Sequence, residues 1–148
     1  MHSMHSIVRI FDLIPPERMN QRRDPERFTP RQVIAHLADW ESVFRERMVG
    51  TIQGKPYEIK TFDEGQRAID NAYHTIDVSQ SLERFSSERL KTLSFIELLP
   101  AEAWNEMALH PEYGAITVMD QVQNLTAHDV YHIDQLLEYL KEETVGTW

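Results

Sequence analysis

Four stretches of this chain bring their apolar residues back every three or four positions, and none alternates apolar with polar as a half-buried strand does. A helix with one apolar stripe must bury it against another helix. The pattern therefore predicts an all-α protein, a four-helix bundle. The first stretch, Ile7 to Ile14, is stopped by Pro15-Pro16, since Pro15 lacks an N–H and restricts the residue before it. The second opens on Thr29 as N-cap, Pro30 at the first helical position and Gln32 completing a capping box. It carries Val33, Ile34, Leu37, Phe44 and Met48, and Gly50 and Gly54 mark its end or the turn after it. The third is capped by Asp77 or Ser79, carries Leu82, Phe85, Leu90, Leu93, Phe95, Ile96 and Leu99, and closes at Pro100. The fourth starts at Thr117, with Asp120 in the capping-box position, and carries Val118, Val122, Leu125, Ile133, Leu136 and Leu140.

The connections are short except for residues 51–78, a longer crossover between the second and third main helices. Within it, Gly54 to Phe62 reads as a loop and Asp63 to His74 as a short helix built on Ala68, Ile69, Ala72 and Tyr73. Met19 to Arg27 reads as a loop, Ala101 to Trp104 as one further turn with Trp104 tucked against the bundle, and His110 to Gly114 as a turn cluster. No repeat, low-complexity tract or domain boundary interrupts residues 1–148, so a single domain is expected.

A formal net charge of −9 argues against a nucleic-acid surface, which needs clustered Lys and Arg. The absence of cysteine excludes disulfides and thiol nucleophiles, and leaves His, Asp and Glu as the available metal ligands. No apolar run reaches membrane-spanning length, and the N-terminus is too polar for a secretory signal, so a cytoplasmic protein is expected. His2 and His5 are expected at a frayed end with no role.

The chemistry suggested by the sequence centres on His128 and His132. Four residues apart on a helix, they stand one above the other on the same face and can share one divalent ion. His36 is the candidate third ligand. On its helix it falls ~100° from the centre of the apolar stripe, with Trp40 ~60° away on the same side. On the last helix His132 falls ~60° and His128 ~100° from centre, again on one side. The three rings can then meet in a groove at the edge of the core. The alternative is a set of core or surface histidines without a metal. Three imidazoles leave coordination positions open, the pattern of a catalytic rather than a closed structural site.

Asp129 lies near the middle of the apolar stripe, where an unpaired carboxylate is costly. Either it fixes the tautomer of a ligand imidazole, or it bonds backbone N–H groups or a buried Tyr or Trp. Glu41 and Asp39 read first as solvated helix charges, although Glu41 could reach a metal-bound water. Trp40, Phe44 and Tyr139 read as core or pocket wall, His110 as a loop residue and His74 as exposed. Arg9, Arg22, Arg23 and Arg27 could anchor an anionic group, but scattered arginines on an acidic chain more often balance charge.

The motifs Thr29-Pro30-x-x-Val33-Ile34-x-His36-Leu37-Ala38-Asp39-x-Glu41, Leu98-Leu99-Pro100-x-Glu102-x-Trp104, His110-Pro111-Glu112-Tyr113-Gly114-Ala115-Ile116-Thr117 and His128-Asp129-x-x-His132-x-x-Gln135 occur in that order. Together they resemble the DinB/YfiT-like superfamily over nearly the whole chain. The resemblance implies an up-down-down-up four-helix bundle, usually a homodimer, with a metal held by His36, His128 and His132. It implies small-molecule chemistry without fixing its kind, since similar proteins include thiol S-transferases, isomerases and hydrolases.

Three readings follow. In the first, a divalent metal ion (Zn, Ni or Fe) and a low-molecular-weight thiol co-substrate support transfer of the thiol to a small electrophile. In the second, the protein is a metal-dependent hydrolase with Glu41 or Asp129, the candidate catalytic carboxylates, beside the attacking water. In the third, it is a non-catalytic metal-binding stress-response protein.

Overall fold

The computed structural model describes residues 2–53 and 56–140. Its elements run α1 (His2–Leu13), α2 (Pro30–Ile52), α3 (Glu64–Asp70), α4 (Val78–Glu97), β1 (Met107–His110), β2 (Gly114–Thr117) and α5 (Val118–Leu137), with single 3₁₀ turns at Pro16–Arg18 and Ala101–Asn105. Helices α1, α2, α4 and α5 form the four-helix bundle, and α2 packs most extensively on α4 and α5. The main core joins Ile7, Ile10, Phe11 and Ile14 of α1 and the turn after it to Val33, Ile34 and Leu37 of α2, Phe85 of α4 and Leu136 of α5.

Both capping boxes form. The Thr29 hydroxyl accepts from Gln32 N–H and the Gln32 side chain accepts from Thr29 N–H, and Thr117 and Asp120 repeat the exchange at α5. The two helices that carry the three histidines are thus started by their own sequence, with little backbone left unsatisfied at the N-terminus. Asp77 caps α4, and Asp63 caps α3 inside the crossover.

Four expectations need correction. The N-terminus is not frayed: α1 begins at His2, Met4 is buried, and Ser3 is bonded into the interior. The helix α2 does not stop at Gly50. It runs to Ile52, and Gly50 instead makes room for the crossover, since a Cβ there would stand 2.5 Å from the Tyr57 ring. Gly54, named with it, lies outside the described residues. The buried face of α4 is only partly the expected stripe: Phe85 is buried and Leu82 packs on the core, but Ser81, Arg89 and Thr92 complete the buried face and Leu90 is exposed. A strand pair, which the periodicity did not suggest, spans 107–110 and 114–117 as an antiparallel hairpin. The crossover adds to its edge, with Leu109 N–H donating to Tyr57 O (2.8 Å) and Ile59 N–H to Leu109 O (2.9 Å). Trp104 is half-buried and its neighbour Ala103 is the buried residue of that turn.

The crossover is also pinned to α2 by charge. Asp39 is buried, and its carboxylate accepts from Arg67 (2.5 Å), Tyr73 Oη (2.6 Å) and Asn71 (3.2 Å), with Arg84 of α4 at 3.4 Å. These bonds hold its carboxyl below the usual range against the opposing effect of burial, while burial and then the bond to Asp39 push the Tyr73 hydroxyl well above its usual value. Ala72 adopts a left-handed conformation (φ 50°) at the end of α3, which lets Tyr73 N–H return to Ala68 O and turns Tyr73 inward. Among the described residues no helix is long and apolar enough to cross a membrane.

Candidate metal centre

His36 from α2 and His128 and His132 from α5 meet inside the bundle, each offering a ring nitrogen, with these atoms all within 4.8 Å of one another. The ring centroids are 4.9, 4.9 and 4.6 Å apart. His36 and His132 are buried and His128 is half-buried. The helical wheel put His36 at the edge of the core; it is fully enclosed, because Phe28, Trp40 and Tyr73 pack around its ring.

Burial is the main cause of depressed basicity in all three rings, reinforced for His36 and His128 by neighbouring imidazoles. His36 is held well below its usual value, His128 is lowered to about 3 and His132 to about 4. All three are therefore neutral near pH 7 and present lone pairs, as metal ligands must.

Hydrogen bonding assigns one tautomer. Gln135 Nε2 donates to Phe28 O at 3.0 Å, so its Oε1 is the atom facing His132 Nδ1, also at 3.0 Å. An amide oxygen only accepts, so Nδ1 carries the proton and Nε2 keeps a free lone pair for a metal ion. Elsewhere His36 Nε2 and His128 Nε2 stand 2.8 Å apart. Two lone pairs at that distance repel unless a proton or a cation lies between them. Ligand nitrogens on one zinc ion, at bond lengths of about 2.1 Å, lie no more than about 4.2 Å apart, so small side-chain rotations bring the set onto one ion. The donor set fits a divalent metal, with positions left open.

The two candidate catalytic carboxylates face elsewhere. Glu41 is not a solvated charge: it is 1% exposed and bonded to Arg89 of α4 at 2.5 and 2.8 Å. Among the described residues Asp129 forms no hydrogen bond to an imidazole, Tyr or Trp. It accepts from the same guanidinium at 2.6 and 2.8 Å and from Ser3 Oγ at 2.6 Å. Arg89 thereby joins α1, α2, α4 and α5 through one buried cluster, and Asp129, next to His128, sets the rotation of α5 about its axis. Arg89 escaped the sequence reading because a lone arginine in a helix looks solvated. Its spacing from Ser81, Phe85 and Thr92 was the available signal.

Two cavities adjoin the rings. The larger, about 370 Å³, includes Trp40, Phe44, Arg47, Phe62, Gln121 and His128 in its wall, along the N-terminal half of α5. His110, expected in a loop, is buried at the end of β1 and belongs to the same wall, as does Glu112 after it. The smaller, about 170 Å³, is lined by Arg27, Phe28, Tyr131, His132 and Gln135, along the C-terminal half of α5. Glu64, at the start of α3, lines both. Its carboxyl is raised chiefly by partial desolvation at the cavity rims, although the residue as a whole is exposed. Of the arginines considered as anion anchors, Arg27 pairs with Glu138 (3.0 Å) at the smaller cavity, Arg22 bonds Pro25 O and Gln32, Arg23 lies over the Tyr139 ring, and Arg9 is exposed.

Comparison with known proteins agrees with this architecture. The chain resembles the structure of YfiT from Bacillus subtilis, described as a probable metal-dependent hydrolase with an unusual four-helix bundle topology, at TM-score 0.84 and 19% identity over 93% of this chain and 79% of that one. It also resembles a mycothiol-dependent maleylpyruvate isomerase at TM-score 0.75 and 13% identity, over 90% of this chain but only 56% of that one. A histidine-to-alanine mutant of that isomerase matches with the same TM-score at 12% identity. At these identities the likeness establishes the fold. A search of curated proteins finds no match. The family model of the DinB superfamily matches residues 3–136, and this chain therefore belongs to the DinB superfamily.

Proposed function

We propose that the protein is a metal-dependent transferase that joins a low-molecular-weight thiol to a small electrophile, with His36, His128 and His132 as the metal ligands. The observation that carries this reading is the pair of cavities. One meets the histidine cluster at His128 and the other at His132, so two different molecules can reach the same centre together. A hydrolase needs one organic substrate and water, and a second cavity would be idle.

A divalent ion held by His36, His128 and His132 would supply a Lewis acid that favours the thiolate form of a thiol. The protein itself supplies no cysteine, so the nucleophilic sulfur must come from the co-substrate. In the reaction the thiolate sulfur forms a bond to the electrophilic carbon, and the displaced group leaves with its bonding electrons. The thiol proton passes to solvent or to Glu64, whose carboxyl lies in both cavity walls. Trp40 and Phe44 enclose the larger side and limit water there. Gln135 keeps His132 in the tautomer with Nε2 free, and Glu41, Asp129 and Arg89 hold the helices that present the rings.

Zinc-, nickel- and iron-loaded protein would be assayed with a panel of low-molecular-weight thiols and chlorodinitrobenzene. We expect conjugation that requires both metal and thiol, and His128→Ala to lose bound metal and activity together. Metal-loaded protein that is inert across the panel would overturn the reading. One observation favours a second reading: Glu64, exposed in the walls of both cavities with its carboxyl raised by partial desolvation, suits a general base for hydrolysis. Cleavage of esters or amides without thiol would select it.

A further inference from the structure

The larger cavity contains an arginine that the fold does not account for. Arg47 of α2 lies over the Trp40 ring (5.3 Å to the centroid) and the Phe44 ring (6.0 Å), and Phe44 in turn lies 5.4 Å from the His128 ring. Its guanidinium forms no ion pair within 4.0 Å among the described residues, although Arg27, Arg45, Arg67, Arg84 and Arg89 all do, and Glu64 in the same wall supports its charge only from a greater distance. Nη2 donates to Lys60 O at 2.8 Å, and Nε, withdrawn from water, has no acceptor. Burial is also the main cause that lowers its basicity, so this cation is carried at a cost.

The neighbouring walls share this deficit. Trp40 Nε1 and Gln121 Oε1 are buried polar atoms without partners, and both residues line the same cavity. Trp40 is 6% exposed and Gln121 3%. Few buried polar groups in a folded protein go unpaired, and when several do so around one cavity they mark the place of an absent partner. Two of the three atoms are donors, Trp40 Nε1 and Arg47 Nε. The partner these two lack is an acceptor, and beside a guanidinium an anion suits it, whereas Gln121 Oε1, itself an acceptor, needs a donor elsewhere on the same molecule. Glu64 and Glu112 in the same wall, on a chain of net charge −9, make a doubly charged phosphate the poorer fit.

We infer that Arg47 anchors a carboxylate on the substrate that occupies the larger cavity, aligning an aromatic or unsaturated body against Trp40 and Phe44 with its reacting end toward His128. The inference rests on the two-cavity reading and names the class of substrate on one side of it: small monoanionic carboxylic acids. Arg47 is a specificity-determining residue in this account. The metal would hold the reacting partners, and the guanidinium would select which acceptor is held.

The test is binding of phenylacetate, its neutral amide phenylacetamide and phenyl phosphate, followed by calorimetry and by Trp fluorescence. A carboxylate can also bind a metal directly, so each titration is run on zinc-loaded and on chelator-treated protein, with zinc content measured on the same samples. We expect phenylacetate to bind about tenfold more tightly than the amide in both forms, the size of one charge-assisted contact. Arg47→Ala and Arg47→Gln should abolish the difference, Arg47→Lys should keep part of it, and the exposed-site control Arg9→Ala should keep all of it. Arg47→Gln retains much of the stem over Trp40, and far-UV circular dichroism of both variants separates lost binding from lost folding. Equal binding of acid and amide would overturn the proposal. So would a preference that needs zinc and survives Arg47→Ala, or tighter binding of phenyl phosphate. Protein that takes up no zinc on loading yet shows the Arg47-dependent preference would refute the metal reading and leave this one standing.

Discussion

Replacing Arg89 by methionine tests whether one guanidinium holds the bundle in register. Arg89 makes four hydrogen bonds to two carboxylates, at 2.8 and 2.5 Å to Glu41 and 2.6 and 2.8 Å to Asp129. Its side chain is 4% exposed and theirs 1% each. Methionine fills much of the volume but leaves two carboxylates facing each other without a cation. Removing one partner of a buried pair costs ~3–5 kcal/mol, a large share of the ~5–15 kcal/mol that holds a typical domain together. For a chain of this size the melting temperature should fall by ~10 °C or more. Urea denaturation with and without zinc is the assay. Adding Glu41→Gln and Asp129→Asn removes the stranded charge and should recover most of the loss. A single variant within ~1 kcal/mol of wild type, or a triple variant no more stable than the single, would refute the reasoning.

Three further outcomes are expected. Gln135→Leu removes the acceptor that holds His132 Nδ1–H, and zinc affinity measured by competition with a chelator should fall ~10- to 100-fold. In metal-free protein the three histidines are less basic folded than unfolded, with His128 at about 3 and His132 at about 4. The unfolded chain then binds more protons below about pH 6.5, so stability is lost as pH falls from there toward 4, at up to ~1.4 kcal/mol per pH unit for each ring. Urea midpoints that stay flat between about pH 7 and about pH 5 would contradict this. Ala72→Gly relieves a left-handed residue at the end of α3 and should raise stability by ~1 kcal/mol, read as a higher urea midpoint at unchanged slope.

The helices and the three histidines were legible in the residues themselves. Capping boxes at Thr29 and Thr117, prolines at 15–16 and 100, and apolar spacing are local signals, acting over four residues or fewer, and nothing distant had to be known. The i, i+4 spacing of His128 and His132 is local in the same way, and His36 was found through its family motif and its place on the helix.

What the sequence could not settle was decided by contacts between residues far apart along it. Asp39, Glu41 and Arg89 carry charges that a sequence reading assigns to solvent, and Asp129 one whose partner it does not name, yet each is buried, because the partner that makes burial tolerable lies 28 to 48 positions away. The hairpin strands are four residues long, too short for alternation to register, and their edge is completed by the crossover. The cavities exist only where α2, the crossover, the hairpin and α5 come together. Local spacing determined which side chains could act. Long-range packing decided which of them are neutral, which are paired, and which, like Arg47, are left with a charge to offer.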